Sequence, residues 1–253
     1  MRRAMIGIGL AALVAEQAPA QERTRPGADT PFAVRTATVR DRGELQLLGV
    51  TRWERGRDGR DGFEVGPGFR YGLTDALELR FDAAQVFGDA SDAGRGSVTP
   101  GLRWLVAEEA GWRPALALFG EMTVPTGPGG ESALGEVSAL VSRTTGRGPG
   151  ATGLHLNAGL LVRPEPGSEE RRHGYRLGAA VSRVLADDLF AVLAYAQETG
   201  DRGERDRSVV EAGFQRSFGD VSLAVLGGAG LNRDSPRWQV GLALKYEFSL
   251  GAR

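Results

Sequence analysis

The chain contains no cysteine. Disulfides, thiolate metal sites and cysteine nucleophiles are therefore excluded. Histidine occurs only at His155 and His173, which is too little for a transition-metal centre without thiolates. Lys245 is the one lysine, so almost all positive charge is arginine. Basic residues number 31 and acidic residues 32, a formal net charge of -1. That balance removes the electrostatic case for a nucleic-acid partner. There is no Gly-x-Ser-x-Gly. The glycine-rich stretch 88–96 lacks the Gly-Lys-Ser/Thr ending of a phosphate loop. No acidic spacing matches a known calcium loop. The expectation is no cofactor and no enzyme.

Long apolar runs are also missing. Residues 5–14 form a continuous apolar run, too short to cross a bilayer. They follow Arg2 and Arg3 and precede Ala18, Pro19 and Ala20. That is the order of a secretory signal, residues 1–20, cut after Ala20. An exported chain that lives in a membrane without apolar helices must form a closed barrel, because lipid offers no partner to open backbone groups. Residues 21–43 are polar, with prolines at 26 and 31 and no period. They read as a mobile periplasmic N-terminal tail.

Alternation fills the rest. In residues 237–248, Trp238, Val240, Leu242, Leu244, Tyr246 and Phe248 share one parity. Arg237, Gln239, Gly241, Ala243, Lys245 and Glu247 share the other. A strand sends alternate side chains to opposite faces, so one face is apolar and aromatic and the other polar or small. Segments of about ten residues repeat this pattern upstream. They lie at 44–54, 63–71, 76–87, 97–106, 112–123, 132–143, 152–163, 174–184, 189–198, 207–218 and 221–231. The sixth is less regular, and the ninth is ambiguous in parity. Twelve strands over residues 44–248 predict an all-β, transmembrane, antiparallel up-and-down barrel, with a short tail at 249–253. Strands of about eleven residues at ~3.3 Å, tilted ~40°, stand about 28 Å high, near the ~25 Å apolar band of such barrels.

The connections support this. Those at 56–61, 88–96, 125–131, 164–173, 200–206 and 232–236 are mostly charged and glycine-rich. Those at 72–75, 107–111, 185–188 and 219–220 are shorter, and only 144–151 breaks the rule. Outer-membrane barrels have long external loops and short periplasmic turns. Trp53, Tyr71, Trp104, Trp112, Trp238, Tyr246 and Phe248 lie near segment ends and are expected at the membrane interfaces. The rival fold is a soluble secreted barrel or sandwich with the apolar face inside. Periodicity alone does not separate the two; strand number, loop asymmetry and the aromatic last strand favour the membrane form.

Three short motifs resemble a known family. YGLTDALEL at 71–79, EMTVPTG at 121–127 and LNRDSP at 231–236 before the last strand are similar to stretches of the outer-membrane family named for the MetA pathway of phenol degradation. The likeness runs from about Glu44 to Phe248. It implies an outer-membrane barrel of transporter type and does not imply phenol as solute. Residues 249–253 continue past Phe248, which displaces the terminal aromatic that barrel-assembly machinery reads in this class. The 71–79 turn also has its own physics: Gly72 accepts positive φ, and Thr74 and Asp75 can bond backbone amides.

Parity places Glu64, Arg70, Glu78, Arg80, Asp82, Arg103, Glu121, His155, Arg163, Glu211, Lys245 and Glu247 in the lumen. Mixed signs suggest ion pairs that brace the wall, or a lining that selects solute by charge and size. Inward glycines such as Gly66, Gly68, Gly101, Gly159, Gly213 and Gly241 leave room for solute or relieve crowding in a curved wall. A lipid-active enzyme would need a histidine beside a serine at the lipid-facing rim; His155 reads instead as a lumenal hydrogen-bonder. The expected function is passage of a small solute, aromatic or otherwise hydrophobic. The alternatives are a structural or adhesion barrel with an occluded lumen and, less favoured, that enzyme. Expected partners are outer-membrane lipid and lipopolysaccharide, the assembly machinery and the solute, around a monomer.

Overall fold

The computed structural model describes residues 29–88, 96–126 and 132–250. The signal segment, residues 21–28 of the expected tail and parts of two loops lie outside that set. Twelve antiparallel strands follow one another in chain order. They are β1 (Glu44–Arg55), β2 (Asp61–Thr74), β3 (Leu77–Phe87), β4 (Gly96–Ala107), β5 (Ala115–Pro125) and β6 (Leu134–Thr145). Then come β7 (Thr152–Val162), β8 (His173–Ala186), β9 (Leu189–Glu198), β10 (Arg207–Phe218), β11 (Val221–Gly230) and β12 (Trp238–Ser249). Each pairs with its sequence neighbours, and β1 pairs with β12, so the sheet closes into a barrel. Closure leaves no edge strand and no unpaired ladder.

The apolar parity points outward. Leu156, Leu160, Val137, Leu193 and Leu244 are exposed on the outer wall. Arg70, Glu78, Arg103, Glu211, Gln239 and Lys245 are buried on the inner one. This is the inside-out arrangement of a transmembrane barrel, and the soluble alternative is set aside. The barrel has a loop end and a turn end. Two-residue turns at 75–76, 187–188 and 219–220 sit at the turn end, where β1 starts and β12 finishes. Gly219 takes φ +64 there, the conformation such a tight turn demands. The longer turns, 108–114 and 146–151, share that end; Glu109 of the first accepts the amide of Thr144, in the last residues of β6, at 3.0 Å.

Trp53 and Trp238 stand outward near the loop end, and Tyr71, Trp104, Tyr246 and Phe248 outward near the turn end. The Tyr246 and Phe248 rings lie 5.6 Å apart. Trp112 departs from expectation. β5 begins at Ala115, and Trp112 belongs to the preceding turn, where Ala110 and Arg113 form an isolated bridge. Trp112 shares parity with Leu116 and Leu118, so the alternation runs past the start of the strand.

The larger correction concerns residues 29–42. They form no periplasmic tail but run inside the barrel. Phe32, Val34, Thr36 and Ala37 are buried. Phe32 and Val34 pack on an apolar patch of the inner wall made by Ala180, Phe190, Val192, Ala194 and Leu226. Ala37 packs with Ala115, Ala117, Phe119 and Leu140. The segment belongs to no strand, so wall side chains satisfy its backbone. Glu211 accepts the Ala33 amide at 2.8 Å, Asn157 that of Arg35 at 2.7 Å and Ser142 that of Ala37 at 2.9 Å. A buried amide left without a partner would cost about as much as a lost hydrogen bond, so these polar residues have a structural reason to point inward.

Candidate functional site

The loop-end half of the lumen is an open vestibule of about 1040 Å³. Its floor is the segment from Thr30 to Arg35, and its wall comes from β1 to β5, β8 to β10 and β12. Arg52 and Glu54 on β1, Glu64 on β2, Arg80 and Asp82 on β3, Glu121 on β5, Arg176 on β8, Glu198 on β9, and Arg207 and Glu211 on β10 all line it. Thr99 and Thr123 add hydroxyls, bonded to each other at 3.1 Å.

The charges are organised in pairs. Arg35 bonds Glu121 and Glu136, each at 2.7 Å. Arg176 also reaches Glu136, and it holds Glu198 at 2.6 Å. The result is a five-membered chain of alternating sign from the segment to β9. Arg35 lies 4.2 Å over the Phe119 ring, with Arg80 5.3 Å from the same ring. Both distances fit a cation–π contact. Arg207 pairs with Glu54 at 2.5 Å. The Arg70 Nη2 donates to both oxygens of Asp82, at 2.8 and 2.9 Å, while its Nη1 donates to the carbonyls of Phe69 and Phe81.

Two lining groups are less satisfied. The Glu64 carboxylate makes no hydrogen bond or ion pair with a described residue. Arg80 approaches Asp29 at 3.8 Å and Glu78 at 4.0 Å, but its Nε and Nη1 have no hydrogen-bond partner.

Below the floor the lumen is filled. Arg103 bonds Asp29 at 3.0 Å and the Thr38 carbonyl at 2.8 Å. Lys245 donates to Gln215 at 2.8 Å, and Arg40 pairs with Glu247 at 3.0 Å. His155 is held between the hydroxyls of Ser142 and Ser182, each at 2.9 Å. That places its ring inside the filled half, away from the outer rim that a lipid hydrolase would use.

Of the residues assigned to the lumen from parity, Glu64, Arg80, Asp82, Glu121 and Glu211 reach the vestibule. Arg70, Glu78, Arg103, His155, Lys245 and Glu247 belong to the filled half. Arg163 is misplaced by the parity argument. β7 ends at Val162, and Arg163 turns into the following loop, 3.6 Å from Glu170. Arg35, Arg52, Glu54, Glu136, Arg176 and Glu198 escaped the sequence reading. Arg35 lies in the expected tail, and Glu136 and Glu198 lie in the two segments of poor alternation; Arg52, Glu54 and Arg176 share the inward parity of segments 44–54 and 174–184, so the parity rule reaches them.

The inward glycines relieve crowding. A Cβ at Gly66 would meet the Ala83 carbonyl oxygen, and one at Gly213 the Val225 carbonyl oxygen and the Phe32 ring. At Gly213 the space left by the missing side chain is occupied by the segment itself.

No protein-family model matches this sequence, and no curated protein matches it. Solved structures do match in fold. The COG4313 outer membrane channel from Pseudomonas putida F1 aligns with TM-score 0.59 at 15% identity, over 84% of this chain and 98% of that one. The NanC porin aligns with TM-score 0.57 at 7% identity, over 80% and 98%. The KdgM porin aligns with TM-score 0.55 at 7% identity, over 80% and 99%. At such identities the likeness concerns fold: the structural neighbours are outer-membrane β-barrel channels, each covered almost end to end.

Proposed function

We propose that this protein is a monomeric outer-membrane channel of a Gram-negative bacterium that passes a small solute. The observation that carries this reading is the charged vestibule inside a closed barrel with an apolar outer wall. The loop end then faces outward and the turn end the periplasm. Export by the signal at 1–20 and insertion by assembly machinery that reads β12 belong to the same reading, as do contacts of the external loops with lipopolysaccharide. The motifs at 71–79, 121–127 and 231–236 support grouping the chain with the MetA-pathway family.

The vestibule bears on the solute. Carboxylates, guanidinium groups and hydroxyls dominate its wall, which favours a small polar or charged solute over the hydrophobic one expected from sequence. Swelling of proteoliposomes in sugars, amino acids and organic acids tests this. Uptake of polar solutes supports the channel; no uptake of any solute removes it.

A second reading has its own observation. Residues 29–42 fill the periplasmic half of the lumen with buried contacts on many strands, as a structural barrel with an occluded lumen would require. Conductance with and without the segment separates the two.

A further inference from the structure

The outer wall is uneven in charge. Among the described residues, the outward strand positions that carry formal charge are few. At the loop end they are Arg55 and Asp61, which pair with each other at 2.6 Å. Near the turn end they are Arg143 on β6, Arg183 on β8 and Arg216 on β10, with no outward carboxylate on any strand there. Parity fixes their direction: Ser142, Ser182 and Val184 beside them are buried inward.

The three arginines occupy alternate strands. Arg143 faces Leu154 on β7, Arg183 lies between Thr152 on β7 and Ala191 on β9, and Arg216 faces Leu189 on β9. Neighbouring strands lie ~4.8 Å apart, so successive guanidinium groups are spaced by about 10 Å around the wall. The rest of the rim is different. At the same end, β12, β2 and β4 carry Tyr246, Phe248, Tyr71 and Trp104 outward. One half of the rim is thus aromatic, and the other carries the three arginines together with the outward Phe218 of β10.

The basic half has unused bonding capacity. The Arg183 side chain makes no hydrogen bond or ion pair among the described residues and stands between the exposed Val181 and Leu185. Arg143 is half-buried: its side chain makes no hydrogen bond or ion pair among the described residues, and its Nη1 is covered by protein, so only its other donors can turn to lipid. Arg216 holds Asp188 at 2.9 Å and lies 5.1 Å from the Phe218 ring, so one edge of its guanidinium is committed and the rest is exposed. An arginine on a lipid-facing wall is costly at the bilayer centre and nearly free at the interface. Its stem can lie on apolar wall while its head reaches the headgroups.

We propose that Arg143, Arg183 and Arg216 form an arc that binds the phosphates of anionic glycerophospholipids in the periplasmic leaflet. The proposal rests on the membrane orientation given above. Guanidinium forks match phosphate oxygens, and Val141, Val181 and Phe214, one step deeper on the same strands, supply apolar wall for the acyl chains. Lipid so held would dress one side of the barrel, leaving the aromatic side to ordinary interfacial contact.

Native mass spectrometry of the full chain in detergent tests this, with phosphatidylglycerol and phosphatidylcholine offered together. The expected result is preferential retention of phosphatidylglycerol, lowered about fivefold by each of Arg143→Gln, Arg183→Gln and Arg216→Gln and nearly abolished in the triple variant. Arg237→Gln, at the loop end, should leave retention unchanged. Should the triple variant not fold, the single variants carry the test. Equal retention in wild type and variants overturns the arc, as does an equal loss in Arg237→Gln. Displacement of the lipid by excess inorganic phosphate would show a site for free anion and also overturns it. Heat-modifiable migration and insertion into vesicles are read in parallel. A chain that inserts but shows no lipid preference refutes only the arc, whereas one that does not insert refutes the membrane reading beneath it.

Discussion

The Arg35 guanidinium, carried by a segment that belongs to no strand, lies 2.7 Å from the Glu136 carboxylate on the wall of β6. Glu136 is almost fully buried and also serves Arg176. Removing one partner of a buried pair typically costs ~3–5 kcal/mol, because the other charge is left behind. Here Arg176 remains, so the loss should fall toward the low end and be felt mainly by the segment. The chain has no cysteine, so a single thiol reports cleanly. Val34→Cys, fully buried, should react slowly with a maleimide in folded barrel. Adding Arg35→Ala should speed labelling at least tenfold without unfolding the barrel. Unchanged labelling would mean that the pair does not hold the segment.

The direction of the apolar face predicts an asymmetry between neighbouring kinds of position. Leu156 lies mid-strand on β7 and points outward. Leu156→Arg should destabilise the barrel by ~2–4 kcal/mol, the cost of a charge near the bilayer midplane. Ala84→Arg, at a residue that lines the open vestibule, should cost clearly less, because a charge facing the lumen is not moved into lipid. Urea unfolding in phospholipid vesicles gives both numbers. Equal costs would contradict the assignment of faces.

Acidity should act on the connection between β7 and β8 at the loop end. Glu170 takes bonds from the Ser132 hydroxyl and from the amides of Ser132 and Gly167. Burial pushes its pKa up, but those bonds and Arg163 outweigh it and hold the carboxyl below its ordinary value. A carboxyl depressed in the folded state stabilises above its unfolded pKa of ~4.3 and loses that effect as pH falls through the folded value. Amide exchange in the 163–172 loop should therefore be flat from neutral pH down to about 5 after correction for intrinsic rates, then quicken below about 4. Glu170→Gln should be loose throughout. Equal protection in the variant would show that the carboxylate does not order the loop.

Strands were legible in the sequence where their two faces meet different solvents. β12 meets lipid on Trp238, Val240, Leu242 and Leu244 and the lumen on Gln239 and Lys245, so its alternation is plain. β9 was ambiguous for a physical reason. Its inward Phe190, Val192 and Ala194 are apolar because Phe32 and Val34 cover them. Two apolar faces in a barrel strand are thus a trace of something packed inside, and that trace was present in the sequence. The segment itself gave no local sign. Its amides bond to Glu211, Asn157 and Ser142, more than a hundred residues away, and no period records such partners. Arg163 was lost for a simpler reason: parity holds only within a strand, and β7 had ended one residue before.

Planar-bilayer recording of the full chain beside a variant lacking residues 29–42 tests the account most directly. The full chain should conduct weakly or in brief openings, since its own segment fills the turn-end half of the lumen. The shortened chain, shown by gel shift to be folded, should give steady and larger steps. Silence from both would contradict a channel, and equal steps from both would contradict closure by the segment.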